Sequence, residues 1–590
     1  MRWLIKPTAP KNYTEKFPEY SPLILQLLYN RDLKTQQTID EFFNPDYGDD
    51  LHDPFLMKGV KEAVKRLQKA IEKKEKILVY GDYDADGIGG TVVLESTLKA
   101  LGAKDISIYI PDRSREGYGL NQEAVEKISK DKVDLIVTVD CGISNFEEVK
   151  LAQSLGISVI ITDHHLCPKK LPPTDIIVNP HQEDDEYPFK YLAGAGVAFK
   201  LSQALLRKKS DKVKTNPGFE KWLLDLVALA TVADCMPLVG ENRTLVKYGL
   251  VVLAQTKRVG LQELMKVAQI NGYKLHIVEN NKGEKEHKVE GLDSLTFAFA
   301  LAPRVNVAAR LADVNAAYRL LSTESQEEAQ ELAQKLEDLN RQRQQLVEKI
   351  VRRFETKLNK EELKKVILVE DKDLSNGLIG LVASKLCDRY CRPAFVFNIA
   401  KDGVRCSARS IPEFNVAEAI GKCSQYLLGY GGHSGAAGLS LKEKNLKDFK
   451  KAILKVAEKD ISEEDLVPQL EIDTRLSLAD FDWSTHEQVQ KFSPFGNSNP
   501  EPRFLIENVE IIDLNTVGNN GRHIKMHLFG PAKNDQMKKV RAIGFGLGDW
   551  DEQLKLGDCV DVVGEFLTNE WNGNKELQFK ILDLKKKVSI

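Results

Sequence analysis

The 590-residue chain has no apolar run approaching the ~18 residues that a membrane span needs. Its opening, MRWLIKPTAPKNYTEKF, lacks the apolar core of a secretory signal. Cysteine is sparse, with eight residues scattered at 141, 167, 235, 387, 391, 406, 423 and 559. Only Cys387 and Cys391 are neighbours, which is poor zinc spacing and no disulfide framework. Reduced thiols in a cytoplasmic protein are expected, with no membrane partner. Neither charge sign is in excess: 84 basic against 87 acidic residues leave a net −3. No global positive field therefore advertises nucleic acid, although local patches matter more than the sum. There is no internal repeat and no low-complexity tract.

What is present is length, enough for three or four domains at ~150 residues each. Residues 1–59 are irregular. From about 60 to 322, short β-branched runs alternate with helix-like stretches; the runs are ILVY (77–80), ISIYI (106–110), LIVTV (135–139) and SVIIT (158–162). Continuous apolar strands between helices predict an α/β fold with a parallel sheet covered on both faces. Residues 323–358 predict one long amphipathic helix, opened by a Thr323–Gln326 capping box and bridging two lobes. A second α/β block (359–460) has strand candidates KVILVE and AFVFNI and the glycine-rich LLGYGGHSGAAG (427–438). After an acidic linker, residues 461–590 alternate apolar and polar with turn signals, which predicts a small antiparallel barrel or sandwich.

The chemistry gathers in GDYDADGIGGT (81–91). Period two along an extended segment would put Asp82, Asp84 and Asp86 on one side, with a helix beginning near Gly90. The next strands end alike: LIVTV runs into Asp140, and VIIT into Asp163, His164 and His165. A further apolar stretch, LVALATVADCMPL, delivers Asp234. In an open parallel sheet the carboxyl edge is where ligands bind. One or two divalent cations are the cheapest account of acids and imidazoles collected there, and Asp with His suits Mn²⁺ or Mg²⁺. Asp82 alone reads equally well as a turn residue.

TDHH after a strand, with GDYDADG and VDCGIS upstream, resembles the DHH phosphoesterase superfamily. IPDRSREGYGLN, NPHQ, LAGAGVAFKL, ATVADCMPLVGENRTLV, APRVNVAAR, CSARS, GYGGHSGAAG and KFSPFGNSNPEPRF extend the resemblance, in order, to its RecJ family of single-strand-specific 5′→3′ DNA exonucleases. The resemblance implies a DHH catalytic domain at 60–322, a DHH-associated domain at 359–460 and an OB-like nucleic-acid-binding barrel at 461–590. It implies two Mn²⁺ or Mg²⁺ ions held by Asp84, Asp86, Asp140, His164, His165 and Asp234, with Asp140 bridging. Two ions can activate the nucleophile and stabilise the leaving oxygen. The catalytic set would be Asp140, Asp163, His164 and His433, and the product a 5′-mononucleotide. Substrate contacts would come from Arg113, Arg304, Asn306, Arg310, Ser407, Arg409, Gly432, His433 and Trp571, arginine being the natural reader of phosphate.

The chain departs from that family at Leu374–Ser375, where Trp-His is usual, and at Ala302, Ala309 and Cys406, where glycine is common. In the C-terminal region Phe495, Phe504, His523, Phe545, Phe566 and Trp571, with Lys525, Lys538, Lys539 and Arg541, are the stacking and phosphate candidates for a single strand. Most of the aromatics are expected in the core, with Trp571 the exception. The expected partner is single-stranded DNA, with a single-strand-binding protein or helicase alongside a monomeric enzyme. Two alternatives are a DHH phosphodiesterase for short RNA or cyclic dinucleotides, and a non-catalytic DNA-binding scaffold.

Overall fold

The computed structural model describes residues 1–587 except 114, 211–212, 280–284, 312–313, 361, 373, 402, 533–535 and 572–573, and gives only the backbone of 285, 286 and 571. It divides into two units: Asp46–Leu466, and Met1–Pro45 with Val467–Ile590.

In the larger unit, the β-branched runs become five parallel strands: β1 (Ile77–Gly81), β2 (Ile106–Tyr109), β3 (Leu135–Val139), β4 (Ser158–Thr162) and β5 (Ile177–Val178), in the order β2-β1-β3-β4-β5. The strand order reverses between β1 and β3, so a crevice opens beyond the carboxyl ends of those two strands. Asp82 and Asp140 are the first residues past them. Helices α1 (Ala85–Ala100), α2 (Gly194–Arg207) and α3 (Leu224–Ala233) pack against one another and join the core on one face of the sheet.

The bridging helix α4 spans Gln326–Leu358. Its cap is Ser325, whose side chain accepts from Glu328 N, and not Thr323 as the sequence suggested. Ala329, Leu332, Ala333 and Leu336 are buried in the first lobe's core, whereas Val347, Val351 and Phe354 belong to the second lobe's. One helix thus anchors both cores. The second lobe is a mixed sheet of β6 (Ile367–Asp371), β7 (Ala394–Ala400), β8 (Gly403–Arg409), β9 (Leu427–His433) and β10 (Ala436–Leu441), ordered β9-β10-β8-β7-β6. Helix α5 (Asn376–Tyr390) covers it. The glycine-rich 427–438 stretch is therefore a hairpin of two strands. Leu374 is buried in this core, and Ser375 caps α5 by accepting from Gly377 N.

In the smaller unit, strands Phe504–Val517, His523–Pro531, Met537–Gly544, Asn574–Lys586 and Cys559–Trp571 pair in that circular order and close a five-stranded barrel. Alternation along His523–Pro531 puts Ile524, Met526 and Leu528 inside. The first residues of the chain join this unit, because Arg2–Ile5 pairs with Gln469–Ile472. Ile24, Leu27, Leu28 and Phe42 share the barrel's core with Phe492 and Phe504.

Candidate metal and phosphate site

The loop after β1 turns sooner than period two implied. Asp84 is the N-cap of α1, its Oδ1 accepting from Asp86 N at 2.9 Å and Gly87 N at 3.1 Å. Asp86 lies in the first helical turn, and its carboxylate accepts from Gly194 N and Ala195 N, both at 2.7 Å, at the start of α2. The three aspartates thus share no strand face; the helix start sends Asp86 to a different side. Asn306 fixes the turn by accepting from Ala85 N at 2.7 Å.

Asp140 has φ +61°, a left-handed backbone that is uncommon for aspartate. Its N–H donates to Thr162 O at 3.0 Å, and its carbonyl accepts from the Tyr118 hydroxyl at 3.0 Å. Gly194 packs so near that a Cβ there would lie 2.5 Å from Asp140 Cβ. Asp163 is fully buried: Oδ1 accepts from His164 N and His165 N and lies 2.8 Å from His165 Nδ1, while Oδ2 accepts from Ile143 N. Asp163 therefore holds the turn and orients His165, both of its oxygens being engaged there.

His164 Nε2 lies 3.1 Å from Asp140 Oδ1, 3.6 Å from Asp234 Oδ2 and 3.8 Å from Asp86 Oδ2. Three sets place their ligand atoms within 4.8 Å of one another: Asp82, Asp84 and Asp140; Asp140, His164 and His165; and Asp86, His164 and Asp234. Asp140 and His164 are each shared between two sets. Asp82 belongs to the cluster, so its burial and position, not its place in the sequence, decide its reading. Asp140 Oδ1 and Asp82 Oδ1 are buried without a hydrogen-bond partner; the 3.1 Å approach of His164 to the former lacks hydrogen-bond alignment.

The electrostatics follow from this crowding. Burial and the charge of Asp84 push the Asp86 carboxyl up to about 7. Burial, Asp86 and Asp84 push Asp234 up to about 8. Asp82 and Asp140 are raised well above the usual carboxylate range, first by burial and then by neighbouring aspartates. Burial and His165 push His164 down to about 4, so its imidazole is neutral near pH 7 with a lone pair to offer. Burial would also lower His165, but its hydrogen bond to Asp163 wins and raises it.

Beside the acids stands a cationic group. Arg113 lies over the Tyr83 ring, 5.1 Å from its centroid. Arg310 donates to Gly377 O at 3.0 Å, and Arg409 donates to Ser407 Oγ at 3.1 Å. Burial, Arg113 and Arg343 push Arg310 down to about 10. Arg304 is placed otherwise: it pairs with Glu337 at 2.6 Å and donates to Ala300 O, which removes it from the phosphate readers. Asn306, expected at the substrate, spends its carbonyl on the metal-site turn. His433 ends the exposed edge strand β9 and, among the described residues, has no hydrogen bond to the carboxylate cluster; it is no core histidine. Gly432, at φ +145°, would put a Cβ 2.4 Å from Ala436 O. Trp571 pairs with Asn574 at the end of a barrel hairpin, and its side chain lies outside the described residues. Phe504 and Phe566 are core, and Phe545 is exposed against the His523 ring. Tyr118, which also lies 3.0 Å from His165 Nδ1, was not singled out from sequence; an aromatic between two glycines in GYG was the available signal.

A doubly wound sheet with acids and a His pair at its switch point defines a DHH-type phosphoesterase domain. The DHH family N-terminal domain model matches residues 76–231, the DHHA1 domain 363–459 and the RecJ OB domain 472–583. The chain is 38% identical to the single-stranded-DNA-specific exonuclease RecJ of Bacillus subtilis, over 99% of this chain and 70% of that protein. It is 32% identical to RecJ of Haemophilus influenzae, over 95% of each. The crystal structure of Thermus thermophilus RecJ in complex with Mn²⁺ superposes with a TM-score of 0.81 at 31% identity, covering 100% of this chain and 80% of that one. The chain belongs to the RecJ family of single-stranded-DNA-specific exonucleases.

Proposed function

We propose that the protein is a metal-dependent exonuclease that degrades single-stranded DNA from its 5′ end and releases 5′-mononucleotides. The observation that carries this reading is the pair of buried, unpartnered carboxylate oxygens on Asp82 and Asp140 among like charges, the latter 3.1 Å from a neutral imidazole. Leaving such groups without a counter-charge is costly, and hard oxygen donors with imidazole fit Mn²⁺ or Mg²⁺. Asp84, Asp86, Asp140, His164, His165 and Asp234 would hold two ions, with Asp140 and His164 central and Asp82 adding an oxygen beside Asp84. Bound ions supply activation of water and stabilisation of charge on the scissile phosphate.

The chain's own residues do the rest. Asp163 fixes the His165 ring and the turn that presents both histidines. The α2 N–H groups of Gly194 and Ala195 aim the Asp86 carboxylate. Arg113, Arg310 and Arg409, with Ser407, hold phosphates of the strand by charge-assisted hydrogen bonds. His433 contacts a phosphate from the second lobe. The barrel offers Phe545 and neighbouring lysines to a single strand, and a helicase or single-strand-binding protein supplies that strand.

The test uses strands labelled at either end, with Mn²⁺, wild type and Asp140→Ala. Labelled mononucleotide released early from the 5′ label alone, and an inert alanine variant, are expected. Early release from the 3′ label refutes the polarity. Hydrolysis of short RNA or a cyclic dinucleotide in preference to DNA refutes the substrate.

A further inference from the structure

Arginines on α4 and its neighbours find acids almost everywhere. Arg341 pairs with Glu337, Arg352 with Glu348, and Arg389 with Glu348 and Glu355. Arg343 is different. Its neighbours one turn away are Leu339, Asn340, Leu346 and Val347, so the helix offers it no carboxylate. Among the described residues no carboxylate forms an ion pair with Arg343, nor with Arg113, Arg310 or Arg409. Its Nη2 donates to Asn340 Oδ1 at 2.8 Å, and Asn340 is itself 1% exposed. Its Nε is buried with no partner. A buried asparagine thus fixes the plane of a guanidinium whose Nε–H is buried and meets no acceptor in the protein. Such a group forfeits its hydration without recompense until an acceptor arrives.

The position of Arg343 says which acceptor fits. It lies close enough to Arg310 to push that guanidinium's proton affinity down, and Arg310 is likewise pressed by Arg113 and Arg409. Four cations without acids, beside a carboxylate cluster that calls for metal, match a polyanion laid across the crevice. Arg343 also borders a groove along α4 lined by Lys349, Arg352 and Lys385 together with Glu348, which pairs with Arg352 and Lys385. We infer that Arg343 is a fourth phosphate-binding arginine, contacting a phosphodiester of the bound strand next to the one held by Arg310. The inference rests on the exonuclease reading and deepens it, since it assigns a substrate contact to the helix that joins the two lobes.

The experiment measures initial rates on a 5′-phosphorylated oligothymidylate with Mn²⁺ across a range of KCl. Arg343→Gln is expected to raise KM about tenfold, the loss of one charge-assisted hydrogen bond, with kcat held within about twofold. The dependence of log(1/KM) on log salt falls by about 0.7, the slope that one neutralised phosphate contributes on a single strand. Arg343→Lys keeps the charge and loses the fork, so the salt dependence stays and KM rises about threefold. An unchanged KM and salt dependence in the glutamine variant overturns the inference, as does a fall in kcat alone, which marks a structural role. Should the glutamine variant not be recovered folded, a lysine variant with wild-type KM overturns it equally. Absence of DNA hydrolysis by the wild type defeats the exonuclease reading instead, so the two failures are distinguishable.

Discussion

Asp234→Asn should stabilise the metal-free protein while destroying its activity. Asp234 follows the last turn of α3, and its carboxylate lies 3.6 Å from His164. Its carboxyl is raised from 3.8 to about 8, so the folded state holds that proton more tightly than the unfolded chain does. Stability therefore falls as pH rises from about 4 to about 8, and the full cost is present above that window. A shift of that size corresponds to roughly 6 kcal/mol at about 1.36 kcal/mol per pH unit. The side chain is 32% exposed, and solvent screening cuts the figure to about 3 kcal/mol. For a unit of roughly 400 residues that corresponds to about 3 °C in Tm. The amide has no such titration, so the variant's advantage grows from near zero at pH 4 to its maximum near pH 9. Thermal melts in a chelator at several pH values measure it. Added Mn²⁺ should raise the parent's Tm at pH 8 by more than the variant's, because the variant loses the Asp86–His164–Asp234 set and keeps the two sets that lack Asp234. A variant that melts below the parent at pH 9 without metal, or gains equally from Mn²⁺, refutes the reasoning.

Gly87→Ala would place a Cβ 2.6 Å from Asp82 N and O; displacement of the aspartate turn by about 1 Å should cost about 100-fold in kcat, read on single-stranded DNA. Ser375→Ala removes the α5 cap and should lower stability by about 1 kcal/mol, or about 1 °C in Tm, by thermal melt. Asn499→Ala in the smaller unit loses two hydrogen bonds to Phe492 O and Pro494 O and strands the Arg31 Nε donor. It should cost that unit about 3 kcal/mol, measured by denaturant unfolding, while Mn²⁺ binding is retained.

The strands of the first lobe were legible because parallel strands buried on both faces must be continuous apolar runs, and the residues ending them were therefore visible as ligands. The aspartate turn was misread for a physical reason. Gly87, Gly89 and Gly90 look like loop residues, yet they lie inside α1. A Cβ at Gly90 would meet Val139 Cγ1 at 2.6 Å and Ala195 Cα at 2.9 Å, so glycine serves close packing of helix on sheet, a distant neighbour that local sequence does not reveal. The same holds for β9 and β10, where glycines and alanines erase the alternation that marks a strand. Arg304 and Arg310 are indistinguishable by type within APRVNVAAR; only the arrival of Glu337 from α4 separates the paired arginine from the free one. Asp163 ends its strand where expected, with its oxygens on the His164, His165 and Ile143 N–H groups and the His165 ring, contacts that a strand-end position alone does not reveal.

The acids and the arginines describe one device seen from two sides. Burial, and after it their mutual charge, raises the carboxyls of Asp86 and Asp140 at the switch point, and burial followed by neighbouring guanidiniums lowers Arg310. Each group opposes folding alone, and each is relieved by a ligand of opposite charge. Divalent metal relieves the first and a phosphodiester backbone the second. The acids could have been paired with the arginines directly, and Asp84 is near enough to be felt by Arg310. The fold keeps them apart: Asp84 is occupied as a helix cap, and Arg310 is turned to the Gly377 carbonyl across the lobe boundary. That separation costs stability and keeps the acids and the arginines from neutralising one another. It follows that neutralising a raised carboxylate that caps no helix, such as Asp86, should raise Tm in chelator as it abolishes turnover, whereas substitutions in the flanking ion pairs of α4, such as Glu348→Gln, should lower Tm and leave kcat alone.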